Sequence, residues 1–188
     1  MHEVSQADYW RRRYEEGATG WDLGGPCPVF ADLLASPLAP PLGRFAFPGC
    51  GTGHDLRLFL DRGYDAVGFD FAIEKSDLPI EPVDVFELGW RFPGRFDGMV
   101  EYTCYCAIDP VRRVEYVASL RAALRPGGLL VALLFPVEHR SEGPPFGIEE
   151  QEIDQVLGVG MDALYVETPR NSVPERVDRE RLVILRKR

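Results

Sequence analysis

Two hydrophobic periods alternate along this chain, and the switches between them predict its elements. RFAF (44–47), DAVGFDF (65–71) and FDGMVEY (96–102) are short apolar runs suited to strands. LLVALLF (129–135) is a continuous apolar run, the pattern of a strand covered on both faces. Between these runs, HDLRLFLDRG (54–63) and VRRVEYVASLRAAL (111–124) carry helical spacing, stopped by Gly63 and by the PGG at 126–128. Further strands are expected around Glu81–Phe86, Asp162–Glu167 and Arg181–Arg186, and a helix over IEEQEIDQVL (148–157). At the start, a helix is predicted from Ser5, as N-cap, to Glu16, with Gly17 ending it. A turn-rich stretch, GWDLGGPCPVF, and a short helix over Val29–Ala35 lead into the first strand. Strands alternating with helices imply an α/β, doubly wound parallel sheet. With no internal repeat and no linker, all 188 residues are expected to form one domain.

Composition narrows the function classes. The chain is 45% hydrophobic and 11% aromatic, enough to bury a core without disulfides. No apolar run approaches the length of a membrane span, and the charged N-terminus is unlike a secretory signal, so a cytoplasmic location is expected. A formal net charge of −9 argues against nucleic acid as a partner. The basic C-terminal stretch (Arg176, Arg179, Arg181, Arg186, Lys187, Arg188) is interrupted by Asp178 and Glu180 and reads as a solvated edge. Cys27, Cys50, Cys104 and Cys106 lack paired metal-site spacing, so no metal is expected.

The most informative local pattern is Gly49-Cys50-Gly51-Thr52-Gly53 between a strand and a helix. Glycines let the backbone approach a ligand closely, and the helix N-terminus offers free N–H groups. Asp70 ends the next strand, 21 positions after Gly49, where an acid can accept hydrogen bonds from ribose hydroxyls. Together they point to an adenosine-type cofactor at the switch point of the sheet. A dinucleotide fingerprint would need glycine or alanine where His54 stands, and a Walker A loop would need Gly-Lys-Ser/Thr. A hydrolase with Cys50 as nucleophile and His54 or His139 as base fails the nucleophile-elbow spacing at Pro48 and Thr52. Cys104 and Cys106 read as inward-facing residues at a strand end.

With these residues in place, the chain resembles class I S-adenosylmethionine-dependent methyltransferases. More narrowly, it is similar to the thiopurine methyltransferase superfamily, in its halide/thiol methyltransferase branch. The likeness runs through YWRRRYEEGATGWDLGGPCPVF, LGRFAFPGCGTGHD, YDAVGFDFAIEK, FDGMVEYTCYCAIDP, LRPGGLLVALLFPVEH, EGPPF and ETPRNSVPERVDRERL. It implies a Rossmann-like, mostly parallel seven-stranded sheet whose last strand is antiparallel. Residues 1–43 would form an N-terminal helical lid over a core at 44–188. It also implies S-adenosylmethionine as cofactor, bound under an aromatic lid of Trp10, Tyr14 and Trp21, whose faces attract a sulfonium cation. Gly49 and Gly51 would line the methionine part, Asp70 the ribose, and Asp84, Val85 and Phe86 the adenine. Glu101, Tyr102 and Thr103 would stand at the strand end nearest the reactive methyl.

The chain departs from that pattern twice. Between Asp70 and Ile80 the family has a full helix, whereas here only FAIEKSDLP is present. Either that helix is reduced to about one turn, or the sequence lacks a mobile segment there. Tyr102 stands where thiopurine enzymes carry arginine and halide/thiol enzymes carry tyrosine. The expected acceptor is therefore a small soft nucleophile: a thiol, hydrosulfide, thiocyanate or halide. Metalloid detoxification of the tellurite or selenite kind and non-catalytic cofactor binding are the alternatives, the short segment after Asp70 favouring the latter. Soft anions need no strong general base. Tyr102 and Tyr105 are expected to shape and polarise the acceptor pocket, and Trp21 and Phe146 to exclude water. His139, in a loop, is a lesser candidate. The expected partner is a small-molecule acceptor, with no nucleic acid or membrane; the oligomeric state is left open, a monomer being favoured.

Overall fold

Along strand β1 (Arg44–Pro48), Phe45 and Phe47 pack into one apolar cluster and Ala46 into another on the opposite face. That alternation follows from the two-residue period of a strand and divides the core into two layers. The computed structural model describes residues 3–73, 75–140 and 142–188. Glu74, within the YDAVGFDFAIEK stretch, lies outside the described residues.

One layer packs α5 (Arg113–Ala123) on the sheet through Tyr116, Val117, Leu120 and Ala123. The other packs α2 (Pro28–Leu34) and α3 (His54–Asp61) through Val29, Phe30, Leu33, Leu56 and Phe59. Between them lies a seven-stranded sheet in the order β3-β2-β1-β4-β5-β7-β6. Its other strands are β2 (Asp65–Phe69), β3 (Ile80–Glu81), β4 (Phe96–Tyr102), β5 (Leu124–Leu134), β6 (Met161–Glu167) and β7 (Arg181–Lys187). β1 pairs in parallel with β2 and β4, while β7 runs antiparallel to both neighbours, β5 and β6. The doubly wound α/β reading, including the antiparallel last strand, agrees with this architecture. No helix among the described residues is long and apolar enough to cross a membrane.

Several element boundaries differ from the sequence reading. The opening helix α1 (Ala7–Glu15) follows a 3-10 turn at Glu3–Ser5, so its N-cap is Gln6 and not Ser5. The strand expected over Glu81–Phe86 ends at Glu81, because the Asp84 carboxylate accepts the Phe86 N–H and starts a 3-10 turn. Such side-chain capping competes with a sheet ladder. PGG does not precede β5 but lies inside it, since Leu124 already pairs with Phe96. A short helix, α4 (Leu88–Arg91), closes against α5, where Gly89 leaves no room for a Cβ beside Ser119 and Ala122. The expected helix over 148–157 is confined to a π-helical turn at Ile153–Leu157. The link from β2 to β3 holds a turn at 71–72 and, among its described residues, no helix.

Candidate active site

The C-terminal ends of β1, β2 and β4 meet at the point where the strand order reverses, the usual ligand crevice of an open α/β sheet. A cavity of about 240 Å³ lies there, and a second of about 70 Å³ adjoins it, with Trp21, Gly49 and Thr103 in both linings. α1 has no buried residue, so it covers this end and leaves the core beneath to the sheet. Trp21 is edge-on to Trp10 at 5.4 Å and to Tyr14 at 5.5 Å between ring centroids. All three rings line the larger cavity. The Trp10 indole N–H donates to the Val4 carbonyl at 2.8 Å, fixing the ring within the lid.

The glycine loop and Asp70 are one hydrogen-bonded unit. Asp70 Oδ2 accepts the Gly51 N–H at 2.9 Å and Oδ1 accepts the Ala72 N–H at 2.9 Å. Burial raises the Asp70 pKa, against the lowering effect of those backbone donors. Gly49 and Gly51 both have positive φ, +59° and +54°. A Cβ on Gly49 would fall 2.5 Å from Cys104 Sγ, and one on Gly51 would fall 2.9 Å from the Tyr14 hydroxyl. Glycine is therefore required by the loop conformation and by the close approach of the lid.

Asp84, Val85 and Phe86 line the larger cavity at its far end, joined by Asp109. Phe86 is backed by the Arg112 guanidinium, 3.5 Å over its ring. At the β4 end, Thr103 holds φ +60°, a strained conformation for a β-branched residue, and lines both cavities. Tyr102 lines the smaller one.

Four sequence candidates stand outside both linings. Glu101 is 1% exposed, its Oε1 accepts the Tyr105 N–H at 2.6 Å, and its Oε2 has no hydrogen-bond partner. Burial raises its pKa to about 7. Its position is that of a core group holding the loop after β4. Tyr105 is buried, and its hydroxyl donates to Glu152 Oε2 at 2.8 Å, with Arg113 donating to both Glu152 oxygens. Tyr105 lines neither cavity, and its ring stands behind the wall. Phe146 is buried too, its N–H donating to the Cys106 carbonyl, while Pro144 and Pro145 supply the wall. His139, with an 87% exposed side chain, pairs with Glu149 at 2.7 Å away from both cavities. His54 pairs with Asp22 at 3.1 Å beside the smaller one. Burial pushes all four thiols up, Cys27 and Cys106 to about 12, so Cys50 is not an activated nucleophile.

The sequence reading missed Arg176 and Glu180. Instead of a solvated edge, Arg176 is 4% exposed and Glu180 1%. Arg176 donates to the Tyr102 hydroxyl at 2.5 Å and to the Trp21 carbonyl at 3.0 Å, and Tyr102 donates to Glu180 Oε1 at 2.8 Å. Its guanidinium lies 4.8 Å from the centroid of Phe135, with which it lines the larger cavity. The alternation of sign in PERVDRER resembles a surface helix face, so no local pattern marked two of its charges as buried.

This geometry coincides with sequence kinship. The model of the thiopurine S-methyltransferase (TPMT) family matches residues 5–76 and 73–186. The chain belongs to the thiopurine S-methyltransferase family. Family membership makes it a methyltransferase, with S-adenosylmethionine as methyl donor and a small molecule as acceptor. The two matched segments meet at 73–76, inside the shortened link between β2 and β3. Probable thiol methyltransferase 2 of Arabidopsis thaliana is 34% identical, over 92% of this chain and 82% of that protein. Thiocyanate methyltransferase 1 of the same plant is 30% identical, over 97% and 86% respectively. Among solved structures, the 1,6-didemethyltoxoflavin N1-methyltransferase of Burkholderia thailandensis shares the fold, with a TM-score of 0.73 and 22% identity over 96% of this chain and 86% of that one.

The residues present fit S-adenosylmethionine. A carboxylate at the end of β2 suits ribose hydroxyls, and three converging aromatic rings suit a sulfonium cation. The far end presents two carboxylates, Asp84 and Asp109, beside the apolar Val85 and Phe86, a setting for an adenine ring and its amino group.

Proposed function

We propose that this methyltransferase acts on small soft nucleophiles: thiols, hydrosulfide, thiocyanate or halides. The observation that carries the reading is the buried Arg176, bonded to the Tyr102 hydroxyl and part of a largely aromatic and proline-lined wall. A guanidinium with little exposure attracts an anion more strongly than one in bulk water, and the apolar surroundings favour a weakly hydrated, polarisable one. Strongly hydrated oxyanions lose more on entering such a wall. The similarity to thiol and thiocyanate methyltransferases supports the same class.

S-adenosylmethionine, when bound, supplies an electrophilic methyl group on a sulfonium sulfur. The chain's own residues have three tasks. Gly49, Gly51 and Asp70 set the position of the donor's polar parts, through a loop locked to the end of β2. Trp10, Tyr14 and Trp21 exclude water and face the cation. Arg176, bonded to the Tyr102 hydroxyl and to the Trp21 carbonyl, holds the acceptor beside the β4 end. Residues 1–43 act as a lid on the 44–188 core within one domain.

Two measurements test the reading. Calorimetry should detect S-adenosylmethionine binding by the free protein. Release of S-adenosylhomocysteine should then rise on adding hydrosulfide, thiocyanate, iodide or a small thiol. Binding of the donor with no turnover on that panel would contradict it.

A further inference from the structure

The hydroxyl of Tyr102 has charged groups on two sides. Arg176 donates to it at 2.5 Å, and it donates to Glu180 Oε1 at 2.8 Å. Glu180 is 1% exposed, and its Oε2 has no hydrogen-bond partner. A carboxylate this deeply buried is costly, and nothing in the donor-binding or lid arrangement above uses it.

Glu180 faces Tyr102 on β4 and Arg176 in the turn at Pro174–Arg176. Ahead of α2 stands Cys27, held neutral by burial and by the Asp55 carboxylate of α3. Arg181, the next residue, turns its guanidinium to Glu150 at 3.0 Å. Burial raises the Glu180 pKa, opposed by Ser172, Tyr102 and Arg176. Tyr102 is itself pushed upward, chiefly by burial, so it holds its proton and can only relay one.

We propose that Glu180 takes the proton from a neutral thiol acceptor through the Tyr102 hydroxyl. The inference rests on the acceptor class proposed above and extends it from preformed anions to protonated thiols. The thiol's S–H bond breaks with its electron pair left on sulfur. Its proton passes to Tyr102 Oη while the proton of Tyr102 passes to Glu180 Oε1. The pair on sulfur forms the new S–C bond as the bond from methyl to the donor sulfur breaks, that pair returning to the donor sulfur. The products are a thioether, S-adenosylhomocysteine and a neutral Glu180 carboxyl, which then returns its proton to water. Arg176 steadies the partial negative charge on Tyr102 Oη during the transfer. Thiocyanate and halides bypass the relay, having no proton to lose.

The test compares kcat/KM for a small alkyl thiol and for thiocyanate between pH 6 and 9, in the wild type and in Glu180→Gln. Glu180→Gln should lower the thiol-to-thiocyanate ratio by at least about tenfold near neutrality. Its thiol rate should climb about tenfold per pH unit across the whole range, which lies below the thiol's own pKa, whereas the wild-type profile is flatter. Equal losses on both acceptors would overturn the proposal. If Glu180→Gln fails to fold, Tyr102→Phe keeps the ring packing and reads the same ratio. Independently of turnover, the infrared carboxyl band absent from Glu180→Gln should titrate above the ordinary carboxylate range yet be ionised at neutral pH. An ordinary or lowered titration point, or a carboxyl still protonated at neutral pH, would overturn it. A wild type inactive on thiocyanate and thiol alike would defeat the acceptor reading, leaving the infrared titration to judge Glu180.

Discussion

The Asp70 carboxylate and the Gly51 N–H are joined at 2.9 Å, so the tip of β2 and the glycine loop form one rigid edge of the larger cavity. The second carboxylate oxygen holds the Ala72 N–H, which fixes the turn that follows. Asp70→Asn replaces one acceptor oxygen by a donor and removes the charge. It leaves either Gly51 or Ala72 without its partner. Losing a charged hydrogen bond of this kind weakens binding by about 1.5–3 kcal/mol, or about 10–100-fold in the dissociation constant for S-adenosylmethionine. Calorimetry would read this directly.

Trp21 joins the two other lid rings and lines both cavities. Trp21→Ala should weaken donor binding about tenfold, by removing cation–π attraction and apolar cover, and should lower kcat by admitting water. Trp90→Ala, at a ring 70% exposed on α4, should change neither. Unaltered affinity and rate in Trp21→Ala would discard the aromatic lid.

Gly49→Ala should cost far more than Gly24→Ala, although both have positive φ. At Gly24 an added methyl meets nothing within 4 Å, so only backbone strain of about 1 kcal/mol applies. At Gly49 the methyl would meet Cys104 at 2.5 Å, adding an overpacking cost of about 1–3 kcal/mol. Thermal melts of the two variants should separate them, and Gly49→Ala alone should lose donor binding.

How much of this was legible in the sequence follows from what each signal depends on. The glycine loop and Asp70 were readable because a backbone conformation and a fixed spacing leave a local trace. The parallel sheet was readable from the alternation of strand and helix periods, RFAF, DAVGFDF and LLVALLF being the plainest strands. Arg176 and Glu180 left no such trace, because their burial arises from β4, the lid loop and the C-terminal segment meeting in space. The direction of Tyr105 left no trace for a related reason: it is set by Arg113 and Glu152, from segments remote in sequence. The overextended third strand reflects local capping by Asp84 overriding the β-propensity of Val85 and Phe86.

Glu101 gives stability a defined pH dependence. Burial lifts its pKa from 4.5 to about 7, so the fold prefers the protonated form. Its contribution is complete below the unfolded value and is lost as pH rises through the folded one. Glu101→Gln cannot ionise and keeps an oxygen for the Tyr105 N–H. Its stability relative to wild type should therefore rise between pH 5 and pH 8, by up to about 3 kcal/mol. Melting temperatures across that range check the slope, and a flat difference would refute it.

The acceptor class is tested most directly by competition. Labelled S-adenosylmethionine would be incubated with the protein, equimolar thiocyanate, a small alkyl thiol and 6-thiopurine, and the methylated products separated and counted. The account predicts that methyl thiocyanate and the methyl thioether take most of the label, with methylated thiopurine at least about tenfold lower per unit of kcat/KM. Label found chiefly on the thiopurine, or on none of the three while the donor still binds, would contradict it.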